Sequence, residues 1–156
     1  MPDKVIFLDI DGPMIPYTSF LFNKMASWEQ ELDDRCVAVL RKIIDASGAK
    51  IVFNTTHNRH LHQHGRIPGL INQFVAAGFG DDLHEDMHTV YPDVDRLTAI
   101  NEWLDRNKTD NMLWVALDDV KIDHKRAFLV NADHGIGIDA YNHCAKWLMF
   151  KTFVAL

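Results

Sequence analysis

The chain has little cysteine. Cys36 and Cys144 are the only two in 156 residues. Both fall in helical patterns among apolar neighbours. A disulfide framework and a thiolate metal motif are therefore not expected; buried free thiols in a reducing compartment are. No apolar run approaches the roughly 20 residues that a membrane-spanning helix needs. The first apolar run begins almost at once, with no basic start and no cleavage site, so no signal peptide is expected and the cytoplasm is the expected location. Positive charge is scarce: 16 Lys and Arg stand against 22 Asp and Glu, a net charge of −6. That disfavours broad electrostatic capture of nucleic acid but leaves room for a local basic groove. Repeats and low-complexity linkers are missing too. At 47% hydrophobic and 24% charged residues, the composition is that of an ordinary globular protein, and residues 1–156 are expected to form one domain.

What the chain does have is acid placed at the ends of apolar runs. Val-Ile-Phe-Leu at 5–8 is too short for a helix and reads as a fully buried strand. Asp9 and Asp11 follow it, and Gly12-Pro13 stops it. With a side-chain period of two, both carboxylates would point the same way if the strand continued. Such a pair needs a cation, a shared proton or water to be tolerated. The plainer alternative is a strand followed by an Asx-type turn. Met112-Leu-Trp-Val-Ala-Leu is a second apolar run, ending in Asp118-Asp119, and Ile51-Val-Phe is a third, ending in Asn54-Thr55-Thr56. In an open parallel α/β sheet all strand C-termini face one crevice, where ligands bind. Four carboxylates facing hydroxyls make a site for a hard cation, and Mg²⁺ suits such oxygen donors.

Strand and helix patterns alternate, which predicts a parallel sheet flanked by helices. Ser27-Trp28-Glu29-Gln30 reads as a capping box opening a helix. Its apolar face is Trp28, Leu32, Val37, Leu40, Ile43 and Ile44, and Gly48 ends it. Leu70, Ile71, Phe74 and Val75, ending at Gly78, give a second helix. A third spans 93–107, with Asp93 or Asp95 near its start. Residues 127–130 read as a short strand. Asp139 is placed to cap a last helix running to about Lys151. The loop Pro13 to Ala26 is a candidate flap, too short for a folded cap, so the crevice should be open. His57, His60, His62 and His64 form a dense cluster, read as a polar loop beside the crevice, with a zinc site as the alternative. His124 is a candidate for the rim of the site, whereas His84, His88 and His134 read as surface or satisfied histidines.

Taken in order, Asp9-x-Asp11-Gly12, Thr55, Arg96 and Asp118-Asp119 resemble the haloacid dehalogenase (HAD) superfamily of phosphotransferases. The resemblance covers most of the chain. Phe53-Asn-Thr-Thr56, Trp103-Leu104, Ala116-Leu-Asp-Asp119 and Leu129-Val-Asn-Ala-Asp133-His-Gly135 with Trp147-Leu148 are similar to the small capless members, some of them linked to RNA repair or nucleotide processing. The resemblance implies a three-layer α/β/α sandwich around a Rossmann-like, mostly parallel sheet, and a Mg²⁺-dependent phosphomonoesterase. It implies that Asp9 is the nucleophile and Asp11 the general acid and base. Asp9, Asp11, Asp118 and Asp119 would serve the metal, Asp11 through its carbonyl, with Thr55, Thr56 and Arg96 on the phosphoryl oxygens. Which of Asn54, Thr55 and Thr56 is the motif residue stays open. Two departures stand out. Arg96 replaces the usual Lys, which trades a point charge for a bidentate fork, and His57-Asn58-Arg59 stands where Trp-Arg is frequent. The expected partner is a phosphorylated substrate, either a small molecule such as a nucleotide or a nucleic-acid end; the oligomeric state is not legible.

Two other classes compete. A receiver-type phosphoacceptor domain also gathers aspartates, a Thr and a basic residue on a doubly wound sheet, but it phosphorylates an Asp after its third strand. A catalytically silent phosphate- or metal-binding module would keep the scaffold without turnover.

Overall fold

Strand β1 (Lys4–Leu8) shows how the layers arise. Its residues are buried on both faces and sort by parity: Val5 and Phe7 pack into one apolar cluster, Ile6 and Leu8 into another. A strand covered on both sides belongs at the centre of a parallel sheet, and there it lies. The computed structural model, which describes residues 3–22, 31–56, 66–89 and 95–153, has a five-stranded sheet in the order β3-β2-β1-β4-β5. The other strands are β2 (Lys50–Phe53), β3 (Leu83–His88), β4 (Leu113–Asp118) and β5 (Ala127–Leu129), and every pairing is parallel. This is the expected α/β, Rossmann-like architecture. The order reverses at β1, which has β2 on one side and β4 on the other. That switch point is where an open sheet binds ligands.

Helices α2 (Asp34–Ser47), α3 (Arg66–Phe74) and α5 (Ile138–Leu148) cover one face, and α4 (Arg96–Asn107) covers the other. A short α1 (Tyr17–Phe22) lies in the loop after β1. On the α4 face, Trp103 is fully buried and meets the Phe7 ring edge-on at 5.2 Å, while Phe7 also meets Trp114 at 5.6 Å. Such pairs add roughly 0.5–1.5 kcal/mol beyond area burial. Cys36 and Cys144 are buried free thiols, as expected, each pushed up to about 12 mainly by burial.

Three boundaries differ from expectation. Helix α2 opens later: Asp33 is its N-cap and accepts from the Arg35 and Cys36 amides, while Ser27 to Gln30 lie outside the described residues. Its end is as expected, with Gly48 in the left-handed conformation. Helix α5 is capped at Gly137, not Asp139, which sits in its first turn, and Met149 ends it before Lys151. Asp95 caps α4 by accepting from the Thr98 amide, whereas Asp93 lies outside the described residues. Strand β3 was not expected at all. Its sequence, Leu-His-Glu-Asp-Met-His, is polar because it forms a half-exposed sheet edge. No helix among the described residues is long and apolar enough to cross a membrane.

Candidate active site

The parity that sorts the core also aims the acids. Val5 and Phe7 face α4, and so do their β4 partners Trp114 and Ala116. Two residues further on are Asp9 and Asp118. The Asp9 amide still donates to the Leu117 carbonyl at 3.0 Å, which holds the chain on β4 one residue past the strand. Both side chains therefore emerge on the α4 face at the C-terminal end of the sheet, 3% and 2% exposed. Asp119 follows in the turn. One carboxylate oxygen each from Asp9, Asp118 and Asp119 lies within 4.8 Å of the others.

Helix α4 delivers the countercharge. Arg96 is its first residue, and Arg96 Nη1 lies 3.5 Å from Asp9 Oδ1 and 3.2 Å from Asp118 Oδ2. The same nitrogen donates to the Asn54 carbonyl at 2.6 Å. Asn54 returns a bond from Nδ2 to the Arg96 carbonyl at 3.4 Å, and its Oδ1 accepts from Thr89 Oγ1 at 2.7 Å. The ends of β2 and β3 thus anchor the start of α4. A guanidinium carries five N–H donors; among the described residues the hydrogen bonds and ion pairs of Arg96 use Nη1 alone.

Thr55 is buried, and its side chain acts to lower the pKa of Asp9, so it lies beside that carboxylate. Of the three residues left open by the sequence, Thr55 touches the acidic cluster, Asn54 holds Arg96, and Thr56 is exposed. Asp11 departs from the extrapolated strand. Its backbone bridges to Ile15 and the Gly12 amide donates to the Ile15 carbonyl at 2.9 Å, a turn that takes the Asp11 carboxylate out of the cluster of three. Gly12 makes that turn at φ +100°, and a Cβ there would sit 2.7 Å from Asp119 Cγ. Tyr17 was not singled out from the sequence: its hydroxyl donates to Asp119 Oδ2 at 3.1 Å from an exposed ring. The loop that carries it is tied down by Tyr17 N to the Ala132 carbonyl at 2.8 Å, Thr18 Oγ1 to the Asp133 carbonyl at 2.8 Å and Ile136 N to the Pro13 carbonyl at 3.0 Å. The 131–136 segment is thus the support of this lip. The His124 ring lies on Trp114, with centroids 4.7 Å apart. His57 to His64 lie outside the described residues.

The electrostatics follow from burial. Asp9 is held well above the usual carboxylate range, first by desolvation and then by the Asp118 charge and Asp119, with Arg96 and Thr55 opposing. Asp118 is pushed up to about 6 by burial, against the pull of Arg96 and the Val120 amide. Asp119 in turn raises the Tyr17 hydroxyl. Among the described residues, three carboxylates face one guanidinium and remain short of positive charge. The donors are all oxygen and close-set, which fits a hard divalent cation.

A family model described as the HAD domain in Swiss Army Knife RNA repair proteins matches residues 5–142. No curated protein and no solved structure gives a significant match.

Proposed function

The chain belongs to the family of HAD domains found in Swiss Army Knife RNA repair proteins, and on that footing we propose that it is a Mg²⁺-dependent phosphomonoester hydrolase. Its substrate is a nucleotide or the terminal phosphate of a nucleic acid. The observation that carries this reading is the placement of Arg96 between buried Asp9 and Asp118, with guanidinium donors left to spend on a phosphoryl group.

Asp9 attacks phosphorus and forms an aspartyl-phosphate while the ester oxygen leaves. Asp11 gives that oxygen its proton. Asp11 then takes a proton from water as the water attacks phosphorus, which releases inorganic phosphate and restores the Asp9 carboxylate. Arg96 presents a planar fork to the phosphoryl oxygens. Thr55, already on Asp9, orients the nucleophile and offers its hydroxyl to the same group. Asp9, Asp118 and Asp119, with the main chain of Asp11, would hold the metal. Bound there, Mg²⁺ neutralises the charge that keeps an anionic nucleophile from an anionic ester.

The test is phosphate release from an aryl phosphate, nucleotides and 3′- and 5′-phosphorylated oligonucleotides, with Mg²⁺ and with EDTA. Turnover is expected with Mg²⁺ alone. Asp9→Asn should lower it by at least ~10³-fold while circular dichroism stays unchanged. Full activity in Asp9→Asn would remove the nucleophile assignment, and Mg²⁺ binding without turnover of any ester would leave a binding module.

A further inference from the structure

The cations of this acidic chain are not evenly spread. The segment between β4 and β5 carries Lys121, Lys125 and Arg126, and Lys146 lies in the last turn of α5. Trp147 gathers three of them. Arg126 Cζ lies 4.9 Å from its ring centroid, Lys146 Nζ 5.1 Å and Lys125 Nζ 5.4 Å. Arg126 also reaches the Trp114 ring at 6.0 Å, and His124 covers the same ring. Among the described residues, ion pairs go to Arg41, Arg96 and Arg106, and none to Lys121, Lys125, Arg126 or Lys146. The segment also holds two acids, Asp119 at the acidic cluster and Asp123, whose charge acts on His124.

In a chain with net charge −6, pairing these cations with acids would be the easier arrangement. Three charges around one indole lie within about a Debye length of one another, ~10 Å at 0.1 M salt. Their mutual repulsion in water costs about 0.4 kcal/mol per pair at that distance. Contact with the ring returns about 0.5–1 kcal/mol each at an exposed site. The cluster is therefore tolerated: Arg126 Nη1 donates to the Trp114 carbonyl at 3.3 Å, and among the described residues no acid pairs with these cations. Aromatic rings interleaved with cations are the composition of single-strand binding surfaces.

The position is informative too. Leu129 of β5 pairs with Asp118, so Arg126, three residues earlier, lies about 10 Å back along the sheet edge. Lys121 is exposed and lies two residues beyond Asp119, between the acidic cluster and the patch along the chain. We propose that Lys121, Lys125, Arg126 and Lys146, organised by Trp147, form a surface that holds a single-stranded polynucleotide by its phosphates, leading its end to Asp9. The identity of that end rests on the phosphomonoesterase reading; the binding itself does not.

Lys125 and Lys146 are exposed and their side chains make no hydrogen bond among the described residues, so the double variant Lys125→Gln/Lys146→Gln should fold, as a thermal melt will verify. The probe is a labelled, unphosphorylated single-stranded RNA of about 20 nucleotides, read by fluorescence anisotropy over a salt series. Wild type should bind with a steep salt dependence. The double variant should lose about 1.4 from the slope of log K against log salt, at roughly 0.7 per phosphate contact. In turnover, KM for a phosphorylated oligonucleotide should rise about 10-fold, equivalent to roughly 1.4 kcal/mol, with kcat and the aryl phosphate parameters unchanged. Three results would overturn the proposal: no RNA binding by wild type at low salt, an unchanged slope in the variant, or binding to anionic phospholipid vesicles in place of RNA. If no phosphate ester turns over, the anisotropy series still decides, so the two readings fail separately.

Discussion

Gly12 allows a sharp test of the carboxylate cluster because a second glycine supplies its control. A methyl group at Gly12 would meet Asp119 Cγ at 2.7 Å, and Asp119 Cβ and Oδ2 at 2.9 Å. Ordinary contact begins near 3.4 Å, so Asp119 must retreat by about 0.7 Å or the backbone must twist. The backbone at φ +100° adds strain of order 1–3 kcal/mol for a residue with Cβ. Gly48 also has positive φ, +71°, but nothing lies within 4 Å of its would-be Cβ. Gly48→Ala therefore carries backbone strain alone, about 1 kcal/mol, which lowers Tm by about 2–4 °C in a chain of this size. Gly12→Ala carries strain plus collision, and the collision falls on a proposed metal ligand. A displacement approaching 1 Å can cost on the order of 10²-fold in rate. We expect Gly12→Ala to weaken Mg²⁺ at least ~10-fold and to lower kcat by up to ~10²-fold, while Gly48→Ala stays within about 2-fold on both. Calorimetric titration with Mg²⁺, a phosphate-release assay and thermal melts of both variants measure the difference. Wild-type Mg²⁺ affinity and turnover in Gly12→Ala, or equal losses in the two variants, would refute the reasoning.

Two further outcomes follow from the same groups. The folded-state pKa of Asp118 is raised to about 6, above an unfolded value of about 3.9. The metal-free fold is thus favoured below the unfolded value and loses stability as pH rises through about 6, by at most about 3 kcal/mol from this group. Denaturation at pH 4.5 and 7.5 in EDTA should show the decline and Mg²⁺ should reverse it; metal-free protein more stable at pH 7.5 would contradict it. Tyr17→Phe removes the donor to Asp119 Oδ2 from an exposed ring, so stability should change by less than about 1 kcal/mol while Mg²⁺ weakens about 10-fold. Unchanged Mg²⁺ affinity by calorimetry would show that this hydroxyl does not orient Asp119.

Much of the fold was legible where apolar strands sit in the middle of the sheet. The runs at β1, β2 and β4 are buried on both faces, so they read as continuous hydrophobic segments. Strand β3 was hidden because what holds it lies far away in the chain. Trp103 Nε1 donates to the Asp86 carbonyl at 2.7 Å, Asn107 Nδ2 bonds the Asp86 carboxylate at 2.8 Å, and Arg106 pairs with it. No window around Leu83 to His88 contains those partners. The α2 start is ambiguous in the sequence because Ser27-x-x-Gln30 and Asp33 both carry cap chemistry, and a local pattern does not choose between them. At the site, the meeting of Asp9 with Asp118 was readable from period two and strand-end convergence. Asp11 was not, because the period holds only while the strand continues, and Gly12 turns the chain away. The joint between Asn54, Thr89 and Arg96 spans 35 and 42 residues of sequence, and only the sheet order brings it together.

The lip beside the acids is sewn mostly main chain to main chain: Tyr17 to Ala132 and Ile136 to Pro13 use backbone atoms alone, and Thr18 reaches a backbone carbonyl. Stitches of that kind do not depend on which side chains hang from the loop. The frame therefore tolerates substitution wherever a side chain neither ties the loop, as Thr18 does, nor reaches the acids, as Tyr17 does. Gly135 is a fixed point of that frame, because a Cβ there would collide with Cys36 Sγ and sit 2.8 Å from the Pro13 carbonyl.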